Sequence, residues 1–334
     1  MLRTALALTL STFLAAGLAA ADRELLNVSY DLSRDIYSKI NPLFTAHVQA
    51  ASGAVVRVKQ SHDGSTKQAR SVIEGLPADV VSMNSASDID MISQLSQGAL
   101  VPADWASRLP HGSAPSASTH LILVREGNPK GIRDWGDLAN DGIKVVMVNP
   151  KTGGNGRYAY LALWAWAARQ PGATPESIEA FVGKVLRNVV TFEKGGKAAS
   201  TTFAQRGIGD ALLTFESEAV MLGQVFNARF DTVVPSISVR ADNPVAVVVG
   251  TTTKGGAEQT ALAESYLRFL YTPQAQQVFA DNHLRPVDPA VLAANAARFP
   301  AIPLVTIEEL GGWKSLIETH FKDGGRFDQL VKKP

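Results

Sequence analysis

Glu24-Leu25-Leu26-Asn27-Val28-Ser29 opens a series in which short apolar runs alternate with longer segments of helical hydrophobic period. Two further runs, at 54–59 and 78–82, have the length and β-branched content of buried strands. The segments between the runs, 35–49 and 66–74, have the period of amphipathic helices. This βαβαβ order predicts a parallel sheet with helices on its faces.

A second α/β series begins near residue 129, after a Ser/Pro-rich link at 112–118 and a strand at 120–125. Its pattern predicts strands at 143–148, 189–192 and 211–215, and helices at 155–170, 175–184 and 201–206. A long strand at 242–250 is expected to cross back to the first half, and an amphipathic helix at 259–271 follows it. The sequence therefore predicts an α/β protein with two lobes, each a mostly parallel sheet flanked by helices.

The order of these elements also predicts where the lobes divide. Residues 22–112 and 246–334 are expected to form lobe I, and residues 113–245 lobe II, with crossings near 112–125 and 236–246. Ligands of such sheets bind at the carboxyl ends of the strands, so we expect the site in the cleft between the lobes.

Composition excludes several classes of function. The chain has 334 residues, 32 Lys and Arg against 31 Asp and Glu, 46% hydrophobic residues and no cysteine. The length suits two domains, and the balanced charge argues against binding to nucleic acid or acidic membranes. Without cysteine there are no disulfides, zinc fingers or iron–sulfur clusters, and the six histidines lack metal-site spacing. We therefore expect no cofactor, no metal and no enzymatic activity.

The first 21 residues are predicted to be a signal peptide that is cleaved near Ala21. Arg3 is the only charge, an apolar run covers 5–20, and Ala19-Ala20-Ala21 is typical of a cleavage site. A membrane anchor is the alternative, but the run falls short of the ~20 strongly apolar residues that span a bilayer. Removal of Arg3 leaves 31 basic and 31 acidic residues, so the exported protein is formally neutral and is expected in the periplasm.

Four turns between a strand and a helix are the candidates for binding, at 29–33, 60–67, 149–157 and 194–197. The last three contain glycine, and each of the four leads into a helix whose first N–H groups and positive dipole end attract anions. Ordinary helix capping is the alternative for any single turn, and none is a Walker A or dinucleotide motif. Lys67, Lys151 and Lys197 are either part of the site or solvated surface charges. Four such turns, two in each lobe, predict a site for one small anion.

The chain resembles the periplasmic sulfate/thiosulfate-binding proteins, which are the solute receptors of ABC importers. The resemblance covers nearly the whole length after residue 21 and is carried by Leu25-Leu26-Asn27-Val28-Ser29-Tyr30-Asp31, Gln60-Ser61-His62-x-Gly64-Ser65-x-Lys67-Gln68, Asn149-Pro150-Lys151-Thr152, Thr202-Phe203-Ala204-x-Arg206-Gly207-x-Gly209-Asp210, Phe215-Glu216-Ser217-Glu218 and Gly311-Gly312-Trp313. It implies a type II periplasmic binding protein, expected to be a monomer, that closes two lobes over an inorganic anion and delivers it to a membrane permease.

The resemblance also implies a set of site residues. Backbone N–H groups would come from Asp31, Ser65, Gly154, Asn155 and Gly196.

Two positions depart from the sulfate-type pattern, with Gly153 in place of a serine and Phe215 in place of an indole donor. Thr152 is a candidate for the missing hydroxyl. The segments around Thr152 and Phe215 are more similar to the thiosulfate-type branch of the family. Thiosulfate or sulfate is therefore the expected ligand, and the alternatives are another tetrahedral oxyanion such as molybdate, or an exported sulfate- or phosphate-ester hydrolase.

Overall fold

The computed structural model describes residues 22–226 and 229–332. The predicted signal peptide, residues 1–21, lies outside these ranges. The strands are β1 (Arg23–Tyr30), β2 (Val56–Asp63), β3 (Val80–Ser82), β4 (Ser116–Ser118), β5 (His120–Arg125), β6 (Val145–Val148), β7 (Val189–Glu193), β8 (Ala211–Phe215), β9 (Phe230–Val233), β10 (Ser238–Val239), β11 (Ala241–Asn243), β12 (Val245–Val247), β13 (Arg285–Pro286) and β14 (Leu304–Val305).

The α-helices are α1 (Arg34–Ser52), α2 (Ser65–Ile73), α3 (Ala86–Leu95), α4 (Pro110–Ser113), α5 (Gly154–Ala167), α6 (Pro175–Arg187), α7 (Gly196–Ala204), α8 (Glu216–Phe226), α9 (Val249–Thr252), α10 (Ala257–Phe269), α11 (Pro273–Asp281), α12 (Pro289–Ala294), α13 (Gly312–Leu316) and α14 (Arg326–Lys332). Short 3-10 turns lie at Asp31–Ser33, Trp105–Ser107, Trp135–Ala139, Thr253–Gly255 and Ala296–Arg298, and a π-helical turn at Ile317–Phe321.

Lobe I is built on a four-stranded sheet in the order β12-β3-β1-β2. Strand β1 runs parallel to both β2 and β3, as the βαβαβ pattern predicts, and β12 closes the edge in the antiparallel direction. Apolar side chains on the two faces pack against α1 and α10 on one side and against α2 and α3 on the other. The carboxyl ends of β1 and β2 therefore deliver the chain to the starts of the Asp31 turn and of α2.

Lobe II is built on a five-stranded sheet in the order β7-β6-β8-β5-β9. Strand β6 is parallel to β7 and β8, whereas β5 is antiparallel to β8 and β9. Helix α5 is almost wholly buried against this sheet, and its aromatic side chains pack in the lobe II core. Strands β6 and β7 end at the turns that lead into α5 and α7.

The predicted single strand at 242–250 is wrong. The segment forms β11, then β12, and then enters α9. The break between β11 and β12 falls at Pro244, which has no N–H to continue a ladder. Its carbonyl accepts a hydrogen bond from Met83 N at 2.9 Å. Strand β11 pairs with β4 between the lobes, whereas β12 pairs with β3 in lobe I, so the chain does return to the first half here.

The C-terminal segment lies against lobe II, although the sequence-based division placed all of 246–334 in lobe I. Strand β14 pairs with β10, and the apolar side chains of Trp313, Phe321 and Phe327 belong to the lobe II core. The chain segment between β13 and β14 is thus a third connection between the lobes. Strand β13 pairs with β4 beside the first two crossings.

Candidate functional site

Three helices and one 3-10 turn start at the ends of strands that face the cleft. Helix α2 starts at Ser65, α5 at Gly154 and α7 at Gly196, and the 3-10 turn starts at Asp31. The N-cap residues of the three helices are glycines without a capping side chain, and Tyr30 before the 3-10 turn makes no side-chain cap. The first N–H groups of a helix have no partner within the helix, so these starts offer several donors to a ligand.

The starts of α2 and α5 meet across the lobes. A methyl group on Gly154 would lie 2.4 Å from Asn84 Oδ1 and 2.9 Å from Ser85 Cβ, in the loop that follows β3. The backbone N–H of Asn84 in turn donates to Ser65 Oγ at 3.4 Å. A methyl group on Gly64 would lie 3.8 Å from the Thr152 carbonyl oxygen. The lobes are therefore in contact at the predicted site, and only a glycine fits at position 154.

The starts of α7 and of the Asp31 turn meet in the same way. A methyl group on Gly195 would lie 3.4 Å from Asp31 Oδ2, and one on Gly196 would lie 2.4 Å from Glu218 Oε1. Burial raises the pKa of the Asp31 carboxyl, while N–H groups of Lys197 and Leu32 act in the opposite direction. The Asp31 carboxyl thus faces the start of α7 from the other lobe.

A buried polar network joins the starts of α5 and α7. Asn155 Nδ2 donates to Glu218 Oε1 at 3.2 Å, and Asn155 Oδ1 lies 3.2 Å from His120 Nε2, which therefore carries the proton. The second oxygen of Glu218 is hydrogen-bonded to the Thr214 hydroxyl. Burial lowers the pKa of His120 to about 4, so its ring is neutral at physiological pH. The network holds the Asn155 side chain at the first turn of α5.

Phe215 and Thr152 have different surroundings from those the resemblance implies. Phe215 is buried, with its ring centroid 4.3 Å from that of His120 and 6.3 Å from that of Tyr158. It therefore packs beneath the network. The Thr152 hydroxyl lies within hydrogen-bonding distance of two carbonyl oxygens, those of Asn149 and Lys194, so its proton is used inside the turn. Thr152 does not replace the missing serine hydroxyl in this conformation, and Gly153 beside it has open space where a side chain would be.

Arg157 is a residue at this cleft that the sequence did not single out. It lies in α5 with 7% exposure, and its guanidinium contacts Asp88 Oδ1 at 3.1 Å, Ser87 Oγ at 2.8 Å and Thr66 Oγ1 at 3.2 Å, all in lobe I. Its Nε also donates to the Pro150 carbonyl oxygen. This is a buried ion pair between the lobes. Its position three residues after the start of α5 was the available signal.

Two of the three candidate lysines have other partners. Lys67 forms an ion pair with Asp63 one turn away. The Nζ of Lys151 contacts Asp323 at 3.0 Å and Asp328 at 3.1 Å, and it also donates to two carbonyl oxygens of the C-terminal segment. Lys151 therefore fastens that segment to the turn before α5.

Two further features of residues 22–226 and 229–332 concern membranes and metal ions. No helix there is long and apolar enough to cross a membrane. Within the same ranges, no group of three or more His, Asp or Glu side chains could hold a metal ion.

Comparisons with known proteins identify relatives of this chain. Residues 26–285 match the family model described as bacterial extracellular solute-binding protein. The chain is 48% identical over 327 residues to the thiosulfate-binding protein of Pseudomonas aeruginosa, which covers 96% of this chain and 97% of that protein. It is 41% identical over 326 residues to the sulfate-binding protein of Escherichia coli, with 96% and 98% covered. The solved structure of the sulfate-binding protein SubI from Mycobacterium tuberculosis is similar with a TM-score of 0.78 at 32% identity, covering 89% of this chain and 98% of that one.

Proposed function

Because this chain belongs to the bacterial extracellular solute-binding proteins, we propose that it captures thiosulfate and sulfate in the periplasm and delivers them to the permease of an ABC importer. The observation that carries the proposal is the meeting of helix starts from both lobes around Gly154. The relatives are named as binding proteins for these two anions, which supports neither molybdate nor ester hydrolysis as the alternative.

The proposed site holds the dianion with uncharged donors. Backbone N–H groups of Asp31 and Ser65 would approach it from lobe I, and those of Gly154, Asn155 and Gly196 from lobe II. Hydrogen bonds to an ionised acceptor are about twice as strong as neutral ones, and helix starts add their dipoles. No side-chain cation has to be desolvated beside the anion, which avoids the cost of burying a second charge.

Closure and binding are coupled in this proposal, because the donors are divided between the lobes. The anion bridges the starts of α2 and α5, and the Arg157–Asp88 ion pair forms at the same interface. A ligand that binds only the closed form shifts the population toward it. We therefore expect small-angle scattering to give a smaller radius of gyration with saturating thiosulfate than without it.

The preference for thiosulfate over sulfate is a further part of the proposal. Thiosulfate carries one large, polarizable sulfur that accepts hydrogen bonds weakly, so its site can dispense with a donor and use the room. The open space beside Gly153 gives that room, and Phe215 supplies apolar surface beneath the network where the sulfate-type pattern has a donor.

Isothermal titration calorimetry of the mature chain with a panel of anions tests the function. We expect saturable binding of thiosulfate and sulfate in a 1:1 ratio, with thiosulfate tighter. Phosphate should bind far more weakly, because it keeps a proton at neutral pH that the proposed backbone N–H donors cannot accept. Molybdate as the tightest ligand would contradict the proposal, and so would turnover of chromogenic sulfate or phosphate esters without anion binding.

A further inference from the structure

Glu218 is a buried carboxyl at the centre of the proposed site, and it is held by uncharged partners. It is 3% exposed, its Oε1 accepts from Asn155 Nδ2 at 3.2 Å, and its other oxygen is bonded to the Thr214 hydroxyl. In the described part of the chain neither oxygen has an ion-pair partner. A buried ionised carboxylate without a cation is costly, so this geometry favours the neutral acid.

Glu216, two residues earlier, shows the opposite arrangement in the same helix. It is equally buried at 2% exposure, but both of its oxygens contact the Arg285 guanidinium, at 2.7 and 2.9 Å. That geometry is the bidentate ion pair of a charged carboxylate. Glu216 and Glu218 therefore differ in their hydrogen-bonding partners and not in their degree of burial.

The charged groups around Glu218 come from three elements, the Asp31 turn, α1 and α7. The carboxyl lines a cavity of about 280 Å³ that Asp31, Arg34, Asp35 and Lys197 also line. From β1 the Tyr30 hydroxyl faces the same region, since the Glu218 charge adds to the burial that raises the pKa of Tyr30. From β5 the neutral His120 reaches Glu218 through Asn155. The Asp31 charge opposes ionisation of Glu218.

We propose that Glu218 is a positioning residue in its neutral form, and that anion binding at the starts of α5 and α7 requires this form. The inference rests on the proposed function. When the carboxyl is ionised, the Thr214 hydroxyl donates to it. When it is protonated, Oε1 still accepts from Asn155, and the other oxygen carries the proton and donates it to the Thr214 hydroxyl. The ionised form would place a negative charge against Gly196, at the helix start that would donate to the anion.

The protonation equilibrium agrees with the geometry. Burial raises the pKa of the Glu218 carboxyl to about 8, and the Asp31 charge acts in the same direction, whereas the hydrogen bonds from Thr214 and Asn155 oppose it. A bound dianion would raise the pKa of Glu218 further, since it repels a second negative charge. Above about pH 8, binding must therefore take up a proton.

The test is calorimetric titration with thiosulfate from pH 6 to 9.5, in pairs of buffers with different ionisation enthalpies. Thiosulfate itself stays fully ionised throughout this range. For the wild type we expect a constant Kd at low pH, then a rise of up to about tenfold per pH unit above pH 8, with uptake of up to one proton per anion. Glu218→Gln copies the neutral acid, with a carbonyl for Asn155 and an NH₂ for Thr214. It should bind within a few-fold of wild type at pH 7, show no proton uptake and keep a flat profile.

Asp31→Asn is the matched control, because it removes the other carboxyl at the same helix start and leaves the backbone donor. Proton uptake should persist in this variant. Binding by the wild type without proton uptake would overturn this inference alone, and so would uptake that survives in Glu218→Gln. Failure of thiosulfate and sulfate to bind at every pH would overturn the proposed function and this inference with it.

Discussion

Replacing Gly154 by alanine is a direct test of closure at the proposed site. Gly154 starts α5 in lobe II, and the atoms that its new methyl group would meet belong to Asn84 and Ser85 in lobe I. Its backbone N–H, the group proposed to contact the anion, stays in place. The substitution therefore perturbs the fit between the lobes and leaves the donors unchanged.

The distances set the size of the effect. The methyl carbon would lie 2.4 Å from Asn84 Oδ1 and 2.9 Å from Ser85 Cβ, whereas carbon atoms in good contact are about 3.5–4.0 Å apart. Both neighbours are buried, so the lobes must separate by several tenths of an ångström. Overpacking of this kind costs about 1–3 kcal/mol. If the open form escapes the cost, the Kd for sulfate rises about 5- to 150-fold.

Gly153→Ala is the control for this prediction, since the same methyl group one residue earlier meets no atom within 4 Å. Titration calorimetry with sulfate should give a Kd within about threefold of wild type for Gly153→Ala. Small-angle scattering should show incomplete compaction only for Gly154→Ala. Equal affinity of the two variants for sulfate would refute the closure geometry argued from position 154.

Three further outcomes are expected. Gly153→Ser places a hydroxyl in open space, where it can form one charge-assisted hydrogen bond of about 1.5–3 kcal/mol with sulfate. The ratio of sulfate affinity to thiosulfate affinity should therefore be at least tenfold higher in Gly153→Ser than in Gly153→Ala. An unchanged ratio in competition titrations would show that Gly153 is not part of the site. The pKa of Glu218 is raised from 4.5 to about 8, so between these values the folded state keeps a proton that the unfolded chain releases, and the free energy of unfolding should fall as the pH rises. In urea titrations, the fall in unfolding free energy from pH 5 to pH 8 should be smaller for Glu218→Gln than for wild type. Equal falls in the two proteins would contradict this. Arg157→Met leaves Asp88 buried without its cation, which costs about 3–5 kcal/mol in the closed form, so anion affinity should fall by more than tenfold. Adding Asp88→Asn should recover part of the lost anion affinity. No recovery would show that the ion pair is not the cause.

The sequence predicts the strand and helix order because local hydrophobic period carries that information. Strands at 120–125 and 211–215 match the structure residue for residue. The start of α7 is less well predicted, at 201 instead of Gly196, because the N-cap and the first helical residues are Gly-Gly-Lys-Ala and have no apolar period. Helix starts of this kind are set by the ends of strands and by tertiary contacts, which a local pattern does not contain.

The third connection between the lobes is also absent from local pattern. Strand β14 has only two residues, and α13 and α14 are short, so 304–332 has no feature that assigns it to a lobe. The assignment comes from Trp313 and Phe327, which fill the core under α5 and α6, and from Lys151. These are long-range contacts between residues more than 130 positions apart in the chain.

The candidate site was likewise only partly predictable from the sequence. The helix starts that face the cleft could be predicted, since turns that follow strands and lead into helices lie at the carboxyl ends of the sheet. The surroundings of Lys151 and Glu218 could not be predicted, because they depend on which side chains the tertiary fold brings to each charge-bearing group. Lys151 lies in the turn itself, yet its ammonium points to Asp323 and Asp328 and away from the anion site.

Glu218 lies beside the helix starts, where an ionised carboxylate would compete with an anion for the same donors. Both arrangements keep a full charge of Lys151 or Glu218 away from the proposed backbone donors. Under the proposed function, backbone donors from both lobes hold the dianion together, so we expect anion affinity to depend on closure.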